Sequence, residues 1–246
     1  MPQFNNYSVS SVNNLVNRLK DNLKGFSYLD EAAQKAMDVL KDEFQDSLVL
    51  ARVYATVPYA VLPDFNKKFV NKLAEDKGIK TLVNDKTLVL SLLGTRGTEP
   101  DWNDRKKSRG HVGIPLVSAS FVEEIPMVAR LMKEMGLELD WIDKNDTNIV
   151  VKKIGNMAGV FYVPDALTQV DNRNRKIIAD QNFAAKYNVK SVFGIGGCYM
   201  DGTFITVILF TNEALQKSQA EAFTSLINSI KSSTLELVSS KKFLKS

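Results

Sequence analysis

Apolar positions near the start of the chain recur at three- and four-residue steps. Val12, Leu15, Val16, Leu19 and Leu23 form one stripe, which predicts a helix stopped by Gly25. Asp30 is placed to cap a second helix with Ala33, Ala36, Met37, Leu40 and Phe44 on its inner side. From Val49 the apolar residues run together. This predicts a buried strand over 49–56, ended by the Val57-Pro58 step. Asp64 then caps a short helix through Phe69 and Leu73, closed by Gly78, and a strand follows over 87–93. The polar stretch 94–110 carries Gly94, Gly97, Gly110 and Pro100 and reads as the longest loop.

Beyond it, the pattern predicts a strand over 112–117. An amphipathic helix over 121–135 places Ile125, Val128, Leu131 and Met132 on one face and ends at Gly136. Strands are predicted over 148–153 and 159–163, a polar turn over 170–175, and a helix over 177–187 closed by Asn188. Residues 191–199 and 203–210 form a hairpin turned by Asp201-Gly202. A long helix over 212–238 carries the stripe Ala220, Phe223, Leu226, Ile227 and Ile230. Neighbouring strands joined by a tight turn require an antiparallel pair. That argues against a doubly wound nucleotide fold, whose parallel strands need crossover helices. With no repeat and no linker, the chain reads as one compact α/β (α+β) unit over 48–246, preceded by a helical extension over 1–47.

Composition narrows the function classes. The chain has 246 residues, 44% apolar and 24% charged, the ordinary balance of a globular domain. Its one cysteine, Cys198, excludes an intramolecular disulfide and fits a reducing compartment. Residues 1–16 lack the basic-then-apolar pattern of a secretory leader, and the most apolar run, 204–210, is too short to span a bilayer. The expectation is a cytoplasmic protein with no membrane partner. A net charge of +4, from 32 basic and 28 acidic side chains, is small and spread out. The one dense basic cluster, Arg105, Lys106, Lys107 and Arg109, follows Glu99, Asp101 and Asp104. Four charges would give nucleic acid only weak, salt-sensitive binding, so no nucleic-acid partner is expected.

Several groups bear chemistry. Trp102 beside Arg105, Lys106, Lys107 and Arg109 could clamp a carboxylate or phosphate, or stack on an aromatic ligand; a solvated loop with internal ion pairs is the competing reading. Gly194-Ile195-Gly196-Gly197 lacks both the third glycine and the following helix of a phosphate cradle. A strand that leaves room for a ligand or a neighbouring helix explains it better. His111, the single histidine, cannot build a zinc site with one cysteine. It could ligate haem, or simply hydrogen-bond the loop. Cys198 with His111 would make a nucleophile–base pair only if the two met. Asp140, Asp143 and Asp146 fail the calcium-loop pattern, since Asn145 and Val151 stand where glycine and glutamate are needed; a solvated turn is expected.

The strings 90–97 (LSLLGTRG), 102–105 (WNDR), 108–111 (SRGH), 114–116 (IPL), 162–165 (YVPD), 191–197 (SVFGIGG), 201–204 (DGTF) and 207–210 (VILF) together resemble the GAF-like sensor region found ahead of PAS and histidine kinase modules in bacterial signalling proteins. The similarity runs over about 48–238. It implies a GAF/PAS-like six-stranded antiparallel sheet flanked by helices, with terminal helices that often dimerise. The chain departs from that pattern in carrying no kinase, cyclase or response-regulator segment. Methionine sulfoxide reductase chemistry on this scaffold uses more than one cysteine, and bilin attachment typically uses a Cys-His pair; this sequence has neither.

The expected function is therefore a regulatory, non-enzymatic module that binds a small molecule and passes the signal through its terminal helices, to a partner protein or within a homodimer. The expected lining is Trp102, Arg105, Arg109, His111, Phe161, Tyr162 and Phe193. Two alternatives stand beside it: a haem-based gas sensor ligated by His111, and a dimeric interaction scaffold that needs no ligand. An enzyme is the weakest reading, because no carboxylate pair, triad or metal constellation is present in the sequence.

Overall fold

The computed structural model describes residues 2–108, 110–144 and 158–245. Ser8 caps α1 (Val9–Asn22) by accepting from the Ser11 backbone N–H at 3.1 Å. In α2 (Leu29–Glu43) Asp30 is not the cap. It sits in the first turn, and its carboxylate accepts from the Lys245 N–H and from Arg105. Strand β1 (Leu48–Pro58) runs past the predicted end, with Pro58 as its last residue. After α3 (Asp64–Asp76), β2 (Leu88–Gly97) extends four residues into the segment predicted as loop. The glycines there serve close packing, not turning. A Cβ on Gly94 would lie 2.7 Å from the Gln34 nitrogen, and one on Gly97 would lie 2.6 Å from the Trp102 ring.

The helix predicted over 121–135 is two helices, α4 (Ala119–Glu123) and α5 (Pro126–Glu134), with β3 (Gly113–Pro115) before them. Pro126 has no N–H to continue α4, and it opens α5 at the first helical position. The expected turn at Asp140 and Asp143 is a short helix, α6 (Asp140–Lys144), that buries Trp141 and Ile142. The strand predicted over 148–153 and the third acid, Asp146, lie outside the described residues. β4 (Gly159–Val163) follows as expected. Only the end of the predicted 177–187 helix is helical, as α7 (Gln181–Lys186); Asp180 caps it by accepting from the Phe183 N–H at 2.8 Å. The hairpin is β5 (Ser191–Cys198) and β6 (Phe204–Thr211), turned at Gly202, where φ is 86°. The predicted terminal helix is broken into α8 (Lys217–Glu221) and α9 (Thr224–Ser239) by a bend that sets Phe223 into the core.

The strands form one six-stranded sheet in the order β3-β2-β1-β6-β5-β4, antiparallel throughout. This is the expected architecture: a helix-flanked antiparallel sheet with N-terminal helices and a long C-terminal helix. α1, α2 and α9 cover one face, called here the inner face. Side chains from residues 1–47 share its core with β1, β5 and β6. Phe4 stacks on Phe44 at 3.8 Å between ring centres, and both meet Phe223 edge-on. The outer face is covered by α4 to α7 and, at Trp102, Ser108 and Gly110, by the loop that follows β2. Among the described residues no helix is long and apolar enough to cross a membrane.

Candidate functional site

Opposite residues of an antiparallel pair point to one face, so the register gives the outer surface row by row. One row runs Thr95, Arg52, Ile208, Gly194 and Phe161. The next runs Leu92, Tyr54, Thr206, Gly196 and Gly159. A guanidinium therefore stands on an inner strand of the sheet, half-buried, the one charged side chain in rows otherwise made of apolar side chains, hydroxyl-bearing residues and glycine. Its Nη2 donates to the Ser108 hydroxyl at 3.1 Å and its Nη1 to the Tyr54 hydroxyl at 3.4 Å. Its Nε is sealed from solvent without a partner among the described residues, as is the Thr95 hydroxyl directly opposite in register. Gly110 closes over this group: a Cβ there would sit 2.7 Å from Arg52 Nη1. The sequence carried a sign of this site, a charge inside the apolar run 48–55, but the predicted lining drew on the loop and passed over it.

The structure divides the predicted lining. Trp102, His111 and Phe161 belong to the outer side. Trp102 packs edge-on against Phe183 and Tyr187, with ring centres 5.4 and 4.7 Å away. Phe161 is fully buried in Arg52's own row. His111 is exposed at the end of the loop and makes no side-chain hydrogen bond among the described residues, so the expected loop-fixing bond is missing. Its pKa is lowered by burial first and by the Arg52 charge second, although its exposure to water limits the first effect. An exposed imidazole beside a cation is a poor seat for an axial haem ligand, which the surrounding pocket must tune. Arg109 lies outside the described residues.

The other three side chains are elsewhere. Tyr162 and Phe193 oppose one another on the inner face. Phe193 is fully buried there against Phe4 and Phe223, and the Tyr162 hydroxyl donates to the Leu215 carbonyl. Arg105 turns away from Trp102 to Asp30 at 3.0 Å, Asn66 at 3.1 Å and the Lys245 carbonyl at 3.2 Å. It thereby ties the loop to α2, to α3 and to the C-terminal segment. Burial raises the Asp30 pKa above the usual carboxylate value, and the Arg105 charge opposes that rise. A surface cleft of about 410 Å³ opens beside this pair, lined by Asp64, Asn66, Arg105, Lys106 and Lys245.

The remaining motifs resolve as packing. The room left by Gly159, Gly194 and Gly196 is filled by Met135 just beyond α5: a Cβ on Gly196 would lie 2.5 Å from its sulfur. Cys198 is buried, and its thiol pKa is pushed up to about 12, chiefly by loss of water. The charges acting on it are Lys231 and Asp201, not His111. Among the described residues no cluster of acids, histidine and cysteine could hold a metal ion. Asp143 instead accepts from the Ala119 N–H at 2.9 Å.

No model of a known protein family matches this chain, and no curated protein matches it. Among solved structures it is similar to a free methionine-R-sulfoxide reductase from Neisseria meningitidis in complex with its substrate, at 11% identity and a TM-score of 0.47, over 94% of this chain and 93% of that one. It is also similar to the phycoerythrobilin-bound GAF domain of a cyanobacterial phytochrome, at 11% identity and a TM-score of 0.45, over 95% and 97%. A phycocyanobilin-bound GAF domain gives 11% identity and a TM-score of 0.44, over 92% and 96%. Likeness at this level describes general shape.

Proposed function

We propose that this chain is a regulatory module that takes up a small molecule on the outer face of its sheet, beneath the segment 98–112, and relays the event to the helices on the inner face. One observation carries the reading. Three buried polar atoms of the outer core, Arg52 Nε, Thr95 Oγ1 and Trp141 Nε1, have no hydrogen-bond partner among the described residues. Leaving such a group unpaired costs about 1–3 kcal/mol. A ligand that satisfies one or more of them recovers part of that cost.

Arg105 supplies the route to the far side, because the ligand-covering segment is anchored through it to α2 and the chain's C-terminal residues. A ligand can shift these helices only by its differential affinity for their arrangements. The same geometry supports a binding role over thiol catalysis: a buried thiol with its pKa pushed up to about 12 is a poor nucleophile.

The test is native mass spectrometry and thermal shift of the purified chain across metabolite classes, with hydrogen exchange as the relay readout. A ligand selective for the folded form raises the melting temperature in proportion to its concentration over Kd. The expected result is a stabilising ligand that also slows exchange in residues 98–112 and in α9. A chain with no stabilising ligand in any class overturns the reading. So does a purified protein with a haem Soret band that Ala at position 111 abolishes.

A further inference from the structure

Of the seven described arginines, six pair with a carboxylate. Arg18 pairs with Glu43, Arg96 with Asp38, Arg105 with Asp30, Arg130 with Glu134, Arg173 with Glu124 and Arg175 with Asp171. Arg52 is the exception, although it is half-buried with its Nε sealed from water, where a charge needs a partner more than at an open surface. The acids of the covering segment are engaged elsewhere. Glu99 accepts from the Tyr187 hydroxyl at 2.7 Å, Asp101 pairs with Lys107 at 3.6 Å, and Asp104 accepts from the Lys106 N–H at 2.8 Å.

From this we infer that Arg52 is the recognition group for an oxyanion, a carboxylate or phosphate carried by the small molecule. The inference rests on the reading above and names the ligand's chemical class. A guanidinium offers five N–H donors in a planar fork that matches two oxygens of a carboxylate or phosphate. At Arg52 the described residues engage two of them, through neutral hydroxyls and one of them at 3.4 Å. The Tyr54 and Ser108 hydroxyls and the unpartnered Thr95 hydroxyl can each turn a proton toward a bound anion. Charge-assisted hydrogen bonds are roughly twice as strong as neutral ones, and a half-buried site screens them less than open water does. Gly110 also fits this role, because a side chain there would push the guanidinium aside.

The experiment uses the full chain at constant ionic strength, set with sodium chloride. Thermal shift and calorimetric titration are run with inorganic phosphate, sulfate, acetate and succinate, on wild type, Arg52→Gln, Arg52→Lys and the control Arg96→Gln. Saturable stabilisation of wild type and of the control is expected, by phosphate and sulfate or by the carboxylates; which arm responds identifies the head group. Arg52→Gln should weaken Kd by at least about tenfold. Arg52→Lys, which keeps the charge and loses the fork, should fall between. In wild-type protein one arginine Nε–H resonance should shift with the same saturation, a readout that survives even if both variants misfold.

Oxyanions that act no differently from chloride, an Arg52→Gln response equal to wild type, or arginine resonances that all stay still would each overturn the inference. A neutral ligand bound equally well by wild type and Arg52→Gln would remove the oxyanion and leave the ligand-binding module standing. Absence of any ligand would remove both.

Discussion

On the inner face of the sheet, Phe4, Phe44, Phe193 and Phe223 meet ring to ring beneath helices of 14, 15 and 16 residues. On the outer face the matching rows carry Arg52, Tyr54, Thr95 and Thr206, and among the described residues α4, α5 and α7 above them have five, nine and six residues. Long helices can lay a continuous apolar stripe on a sheet, so they bury large side chains in register. Short ones gain little from their own backbone and depend on what they cover. The contrast separates two jobs. Both faces bury an apolar core, but only the outer one also keeps a guanidinium with hydroxyls beside it at the centre of the sheet.

The contrast is broken most directly through Phe44, which is fully buried and touches Phe4, Tyr7 and Phe223. Phe44→Ala removes a large ring from a close-packed site and should cost about 3–5 kcal/mol in urea unfolding. Phe183→Ala, at a half-buried ring on the outer side, should cost markedly less. Equal losses would mean that both faces bear the fold alike.

The pair that bridges the faces comes next. Asp30 and Arg105 side chains are only 7% and 11% exposed, so losing one partner strands the other's charge. Arg105→Met should cost about 3 kcal/mol at neutral pH. Burial already raises the Asp30 pKa above 3.8, and removing Arg105 takes away its main opposing charge. A carboxyl whose folded pKa is raised binds its proton more tightly folded than unfolded. Stability is therefore highest below the unfolded pKa and falls as pH rises through the folded one. The deficit of Arg105→Met should shrink toward pH 4 and grow toward neutrality. A deficit that does not change with pH would assign the loss to packing of the arginine stem instead.

The sequence made the strands, the hairpin and the inner helices legible because each has its own periodicity. The stripe from Ala33 to Phe44 is buried as drawn, the one from Val12 to Leu23 is buried except for the half-buried Val16, and Asp201-Gly202 turns β5 into β6. Boundaries failed where a tertiary contact decided them. Gly94 and Gly97 look like loop glycines until α2 and Trp102 are found against them. Pro126, inside an apolar stripe, divides the predicted helix. The site failed for a related reason. Periodicity shows that Phe161 and Phe193 are both buried but cannot show that they lie on opposite faces, since that depends on the register of β4 against β5. Arg105 reads as a loop cation, and only the folded chain brings Asp30 to it across 75 positions.

The smallest expected effect is the sharpest test of the comparison. Arg52→Met keeps an apolar stem of similar reach and deletes a charge that the described protein does not neutralise. If the outer face kept Arg52 to stabilise the fold, its removal would cost as much as breaking a buried ion pair, about 3–5 kcal/mol. The geometry argues otherwise. Two bonds to neutral hydroxyls are lost, one of them 3.4 Å long, and a buried Nε without a partner disappears. These terms oppose one another at about 1 kcal/mol each, so unfolding in urea should show a change within about 1 kcal/mol of zero, of either sign. A near-neutral result beside the large loss at Phe44 would place Arg52 among groups held for what they bind. A loss above about 2 kcal/mol would make it a structural element and erase the distinction between the faces.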